Sequence, residues 1–298
     1  MSQNAKAPDF LVIGAQKCGT TSLYRHLAAH PDVYMPGAKE VEFFSSDERF
    51  ERGLDWYIET YFGDAGGAAA RGEASTHYMM FVPSVADRIR RTLPDVKLIA
   101  VLRNPIERAY SHYRMSQMRG QESRSFAEAV EACLARPPDA PIEVHGDYVR
   151  LGEYGRILAA YARLFPREQL HIVLTEELAD APERTMAEVY RFLGVDETFR
   201  PETLGKRFNV GGEARSPQAM ELLRRSAGRL RRVPGVGALL TQSRYEAFKF
   251  WTRTELGISA REDAGPPDAV RRKLARHFRP DVAQLEATFG LEVTWPEV

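Results

Sequence analysis

The chain has 298 residues, of which 44% are hydrophobic and 28% charged, and its 41 basic and 41 acidic side chains cancel to a formal net charge of zero. The first two values are ordinary for a globular protein with an ample core. The third excludes any global attraction to nucleic acid or to an anionic membrane, so an anion site must be a local concentration of positive groups.

Two cysteines, Cys18 and Cys133, lie far apart with no metal-type spacing. They argue against a disulfide framework and make a reducing cytoplasm the expected location. The opening "MSQNAKAPDF" lacks the apolar segment of a signal peptide. No run approaches the roughly eighteen apolar residues of a membrane span. A cytoplasmic protein with no nucleic-acid partner and no membrane span is expected; the oligomeric state is left open.

Residues 1–8 read as a flexible tail. Phe10 to Gly14 is a short apolar strand, and Thr20 to His30 a helix ended by Pro31. A helix is expected at "GLDWYIETYF", then the loose "GDAGGAAARG" and a strand carrying "GEAS" at 72–75. "VADRIRRTL" is helical, and "VKLIAVLR", 96–103, is a continuous apolar strand of the kind buried on both faces of a parallel sheet. Pro105 suits the first turn of a helix with Ile106, Tyr110 and Tyr113 on one stripe. Tyr154, Ile157, Leu158, Tyr161 and Phe165 mark another amphipathic helix, and "LHIVLTEEL" a further strand. Met186, Val189, Tyr190 and Leu193 define a helix that stops at Gly194. Beyond residue 200 the pattern turns helical, with "AVRRKLARHF" and "DVAQLEATFG" as two helices separated by Pro280. Strands alternating with helices predict a single α/β domain with a doubly wound parallel sheet flanked by helices.

"LVIGAQKCGTTSLYRHL", 11–27, is a strand, a glycine-bounded loop and a helix N-terminus, which is the makings of a phosphate cradle. In a Walker A loop the lysine directly follows the second glycine and a hydroxyl after it holds magnesium. Here Thr20 takes the lysine's place and Lys17 sits on the loop itself. Backbone amides from about 17 to 22 can still converge on an anion, helped by the helix dipole. A sulfuryl group, with less charge than a terminal phosphoryl, fits a loop without the magnesium arrangement. A plain strand-to-helix turn with an exposed lysine explains the stretch equally well.

"LRNPIERAYSHY", 102–113, breaks that balance. Arg103 ends a buried strand, where ligands of doubly wound sheets collect, and can fork a phosphate. Ser111 lies about two turns into the following helix and can add a hydroxyl. Either residue alone would read as a carbonyl cap or a helix-surface serine.

With both segments present, the chain resembles the sulfotransferases that use 3′-phosphoadenosine 5′-phosphosulfate (PAPS), especially the heparan-sulfate-type branch and its bacterial relatives. The resemblance implies a P-loop-containing fold over 9–298 and a K-x-G-T-T-type loop gripping the 5′-phosphosulfate, here Lys17, Cys18, Gly19, Thr20, Thr21 and Ser22. It implies an R-x-P-x-x-R-x-x-S segment gripping the 3′-phosphate, here Arg103 and Ser111. "RFNVGG", 207–212, matches a late segment near the nucleotide, which adds Phe208 and Gly211.

"KEVEFF", 39–44, resembles the family's K/N-E-x-x-F-F segment, whose glutamate is the acceptor base, so that role falls on Glu40 ahead of Glu42. A carboxylate serves an alcohol only if close and partly desolvated. His77, in "GEASTHY", is a rival base with a pKa better suited to neutral pH. Glu42, Phe43, Phe44, Ser75 and Tyr78 are the expected acceptor-binding side chains, and Lys17 would steady the leaving oxygen of 3′-phosphoadenosine 5′-phosphate (PAP). Where the family commonly reads E-K-[S/T]-P-x-Y, this chain has Ala74 and Thr76, so a cation beside the acceptor is missing. That departure argues against a highly sulfated polysaccharide.

Cys18, beside a helix N-terminus that lowers thiol pKa, reads as packing or inhibitor-sensitive. The run "RRSAGRLRR", 224–232, reads first as a solvated helix face and second as part of a lid or an anionic-acceptor contact. The expected reaction is sulfuryl transfer from PAPS to a hydroxyl, in second place an amine, of a sugar, lipid or natural-product acceptor, with no metal required. A P-loop nucleotide-dependent kinase and a non-catalytic glycan-binding relative are the competing readings.

Overall fold

The computed structural model describes residues 6–202 and 204, the backbone of 212–214 and 258–260, and residues 265–298. Apolar runs build its sheet. All five residues of β1 (Phe10–Gly14) are buried, as are the last five of β4 (Lys97–Leu102), so both strands need cover on two faces. They pair in parallel at the middle of a five-stranded sheet with β2 (Val33–Tyr34), β3 (Ala70–Ala74) and β5 (Leu170–Leu174), in the order β2-β3-β1-β4-β5. All four pairings are parallel.

That order creates a switch point. After β1 the chain winds outward through α1 (Thr20–Ala28) to β2 and back to β3, then crosses through α4 (Ser84–Thr92) to β4 on the other side of β1. The loops leaving β1 and β4 therefore diverge above neighbouring strand ends, where a ligand crevice forms. In chain order the remaining α-helices among the described residues are α2 (Asp47–Phe50), α3 (Gly53–Phe62), α5 (Pro105–Met118), α6 (Phe126–Leu134), α7 (Tyr154–Ala162), α8 (Thr175–Asp180), α9 (Pro182–Leu193) and α10 (Asp268–Phe289). Short strands β6 (Gly212–Ala214) and β7 (Ile258–Ala260) pair antiparallel.

Several elements differ from the sequence expectation. The strand of "LHIVLTEEL" ends at Leu174, and Thr175 onward turns into α8. Polar Glu176 and Glu177 suit the first turn of a helix, where the dipole favours acidic groups. The first helix stops at Ala28, two residues short, and β3 starts at Ala70. Pro280 does not separate two helices but lies inside continuous α10. Proline forgoes one backbone bond there, and packing of α10 on α7 outweighs the loss. Asp281 accepts the Gly155 and Arg156 amides, each at 2.8 Å, and so caps α7 from outside. The approach is so close that a Cβ on Gly155 would stand 2.1 Å from the Asp281 carbonyl oxygen. At the N-terminus Pro8 is already buried and Ala7 packs on the core, ahead of the expected boundary at residue 9.

Candidate active site

The loop after β1 reaches α1 through Gly19, whose φ of 86° is left-handed backbone that glycine adopts without a Cβ penalty. No side chain caps α1 and no acidic residue stands in its first turn, so the dipole end is left for an anion. Lys17, half-buried on the loop, also has a left-handed φ of 71°. Arg103 follows β4, next to Asn104, whose side chain accepts the Ile106 amide at 2.9 Å and starts α5. Glu107 and Ser111, four residues apart, share one face of α5. Glu107 lies 3.8 Å from Arg103 and 2.7 Å from Arg271.

Two hydroxyls lock these segments together. Tyr154 donates to the Arg103 carbonyl at 3.0 Å, which leaves its oxygen to accept from the Cys18 thiol at 3.3 Å. Thr175 Oγ1 lies 2.6 Å from the Cys18 carbonyl and 2.8 Å from that of Leu102. Sequence reading missed both residues, because each acts across more than fifty positions of chain.

On the acceptor side, Glu40 is tied at both oxygens. Oε1 pairs with the Lys39 ammonium, while Oε2 accepts the Thr76 amide at 2.7 Å and its hydroxyl at 3.1 Å. A proline at 76 could supply neither donor, so the chain's departure from the family pattern gives Glu40 two hydrogen bonds. Burial alone would raise the Glu40 pKa, but Lys39, the Thr76 amide and His77 together hold it below the usual value. His77 Nδ1 is 3.1 Å from Glu42 Oε1. Burial opposes charge on that imidazole, and the bond to Glu42 outweighs it, so the His77 pKa is raised. Phe43, Phe44, Ser75 and Tyr78, expected to contact acceptor, are each at most 1% exposed. They are the support beneath the loop: Phe43 stacks on Tyr57 with centroids 4.3 Å apart.

Residues 7–209 match the family model described as "Sulfotransferase domain". The chain belongs to the sulfotransferase family. It is 30% identical over 254 residues to mouse heparan sulfate glucosamine 3-O-sulfotransferase 6, covering 83% of this chain and 72% of that one. It is 30% identical over 207 residues to the Drosophila melanogaster bifunctional heparan sulfate N-deacetylase/N-sulfotransferase, covering 63% of this chain and 20% of the relative. The human 3-O-sulfotransferase 6 match, at 32%, covers 63% and 52%. The chain thus spans from a fifth to about half of these last two relatives. Among solved structures, the sulfotransferase from Alicyclobacillus acidocaldarius superposes with a TM-score of 0.68 at 28% identity, over 97% of this chain and 98% of that one.

The electrostatics around Lys17 favour an anion. Burial first, then the neighbouring guanidinium groups of Arg119, Arg103 and Arg108, lower the Lys17 pKa to about 8. Arg108 is fully buried; it donates Nη2 to the Tyr148 carbonyl, and its Nε and Nη1 have no hydrogen-bond partner. Buried positive charge so lightly compensated is costly, and a bound phosphate or sulfate would offset it. Arg108 is the third fixed position of the R-x-P-x-x-R-x-x-S segment, a signal available in the sequence and not used.

Cys18 is packed, as the first of its two readings has it, but its thiol pKa is not lowered. Burial pushes its thiol up to about 11, overriding the helix terminus, so it is a packed, protonated thiol at neutral pH. Thr20 and Thr21 are buried at the start of α1, with Ser22 half-buried beside them. Phe208, Gly211 and the run 224–232 lie outside the described residues. No helix among the described residues is long and apolar enough to cross a membrane.

Proposed function

We propose that this sulfotransferase-family chain transfers a sulfuryl group from PAPS to a hydroxyl, in second place an amine, of an acceptor and releases PAP. The observation carrying this reading is that the loops bearing Lys17 and Arg103 leave adjacent strands and are tied by Tyr154, which bridges Cys18 and the Arg103 carbonyl, with Arg103 close enough to lower the Lys17 pKa. Two cationic groups on loops tied to each other suit a donor with anions at both ends of one nucleoside. Arg103 and Ser111 would hold the 3′-phosphate, and Lys17 with the amides of Gly19 to Ser22 the 5′-phosphosulfate.

In that reaction the acceptor oxygen bonds to sulfur as the sulfur–oxygen bond to PAP breaks, and Lys17 steadies the departing oxygen. Glu40, kept ionised by Lys39 and Thr76, takes the acceptor proton as the new bond forms. One of its donors must yield to the acceptor hydroxyl. A second reading, favoured by the 3.1 Å contact between Glu42 and His77, makes His77 the base with Glu42 behind it.

The acceptor is proposed to be a hydroxyl-bearing sugar, lipid or natural product, the sugar being supported by relatives named for heparan sulfate glucosamine. Ala74, where the family pattern has lysine, argues against a highly sulfated chain. A cytoplasmic setting belongs to the same proposal and is supported by two buried, free cysteines.

The test combines two measurements. PAP should raise the melting temperature and ATP with magnesium should not, and radiolabelled PAPS incubated with a cell extract should label a product. Stabilisation by ATP with magnesium alone would favour a kinase. Tight PAP binding without transfer to any acceptor would favour a binding protein.

A further inference from the structure

Glu73 is fully buried on β3, and its hydrogen-bond partners are hydroxyls. Tyr78 donates to Oε1 at 2.5 Å, Ser75 donates to Oε2 at 2.8 Å, and the Tyr57 hydroxyl lies 3.5 Å from Oε1. Burying a carboxyl group this way is expensive, and a glutamine or leucine would build the strand at less cost. Burial raises its pKa to about 7 despite the bonds from Tyr78 and Ser75.

The consequence lies in the direction of the hydroxyls. In its ionised form, which predominates above about pH 7, the Glu73 carboxylate only accepts, so Ser75 and Tyr78 must each turn their single proton toward it. Their lone pairs then face the 39–44 segment. Ser75 Oγ accepts the Glu42 amide at 2.9 Å, and the Tyr78 oxygen lies 3.5 Å from the Phe44 amide. The Glu40 amide donates to the Ala74 carbonyl at 2.9 Å. Alternate residues 40, 42 and 44 are thus stitched to 74, 75 and 78. At two of these stitches, Glu40 and Glu42 have left-handed φ values of 63° and 56°, conformations that persist only when surroundings impose them.

We propose that Glu73 is a positioning residue for acceptor activation: by orienting the Ser75 and Tyr78 hydroxyls toward the Glu42 and Phe44 amides, its carboxylate holds Glu40 and the Glu42–His77 pair at the acceptor side. This rests on the sulfotransferase reading of the Glu40 segment. Glu73→Gln keeps the size but introduces an amide donor, which forces at least one hydroxyl to turn around.

Three measurements on the full chain decide it: hydrogen exchange of the 40–46 amides, PAP affinity, and sulfuryl transfer from radiolabelled PAPS to an alkyl glucoside probe. In Glu73→Gln we expect exchange at 40–46 to quicken at least tenfold and turnover to fall at least tenfold, with PAP affinity within twofold of wild type. Ser75→Ala, a milder change, should quicken the same amides if Glu73→Gln does not fold. Val33→Ala, a destabilising change on the edge strand β2, should alter neither exchange at 40–46 nor turnover, separating positioning from loss of stability. Wild-type exchange at 40–46 in both Glu73→Gln and Ser75→Ala overturns the inference. Wild-type protein that neither binds PAP nor consumes PAPS overturns the sulfotransferase reading instead, and the exchange arm still decides what Glu73 holds.

Discussion

Tyr154 donates its phenol proton to the Arg103 carbonyl across 3.0 Å, and the same oxygen meets the Cys18 thiol at 3.3 Å. One hydroxyl from α7 thereby sets the spacing between the loop after β1 and the residue after β4. Tyr154→Phe deletes both bonds and keeps the ring. A neutral hydrogen bond contributes about 1 kcal/mol, so PAP affinity should fall about fivefold, with a matching loss of stability. Calorimetric titration and thermal melting check this; unchanged affinity would mean that the clamp does not set the site.

Arg103→Ala removes a forked, charged donor. Such bonds contribute about 1.5–3 kcal/mol, which predicts a loss of roughly ten- to hundredfold in PAP affinity. Adenosine 5′-phosphosulfate, which has no 3′-phosphate, should bind equally to wild type and variant. A loss shared by both nucleotides would move Arg103 away from the 3′-phosphate.

Lys17 makes nucleotide binding pH-dependent. Its pKa near 8 in the free protein means that the ammonium is lost as pH rises through that value, whereas a bound anion favours the protonated form. PAP binding at pH 8.5 should therefore take up protons, read as a heat that varies with buffer ionisation enthalpy. At pH 6.5 the Lys17 share of the uptake should vanish, since Lys17 is then charged in both states. Lys17→Met should abolish the Lys17 uptake at pH 8.5.

Glu40→Gln should lower kcat by a factor of about 10²–10⁴, the usual contribution of a general base, with PAP affinity intact. His77→Asn tests the rival. Its raised pKa means that a His77 base becomes active as pH climbs through a value above 6.5, and that limb would disappear in the variant. With Glu40 as base, ionised well below neutrality, the limb is absent from the start.

Gly155→Ala should damage the α7–α10 contact. The added Cβ would lie 2.1 Å from a backbone oxygen, which a side-chain rotation cannot relieve. Overpacking of this kind costs about 1–3 kcal/mol, so the melting temperature should drop by several degrees. A melting temperature equal to wild type would show that the helices separate freely.

Parts of the fold were legible because their signals are local. The limits of β1 and the start of α5 at Pro105 follow from an apolar run and a proline. "TEEL" after β5 and Pro280 were misread, because a strand's end and a helix's continuation depend on what packs alongside. In the site, Lys17, Arg103 and Glu40 stood out through short motifs. Glu73, Arg108 and Tyr154 did not, since burial and long-range partners give them their significance. Thr76 was noticed only as a departure, and its two bonds to Glu40 emerged with the packing.

The order of residue types along the chain was enough to determine a strand, an anion-ready loop and an arginine at the end of a second buried strand. These depend on neighbours a few positions apart. Packing alone decided that β1 and β4 adjoin, that burial and then three nearby guanidinium groups loosen the Lys17 proton, and that the Ser75 and Tyr78 hydroxyls meet the Glu73 carboxyl group. Proton affinity and hydrogen-bond direction depend on water exclusion and on distances between residues remote in sequence, and both exist only once the chain has closed on itself.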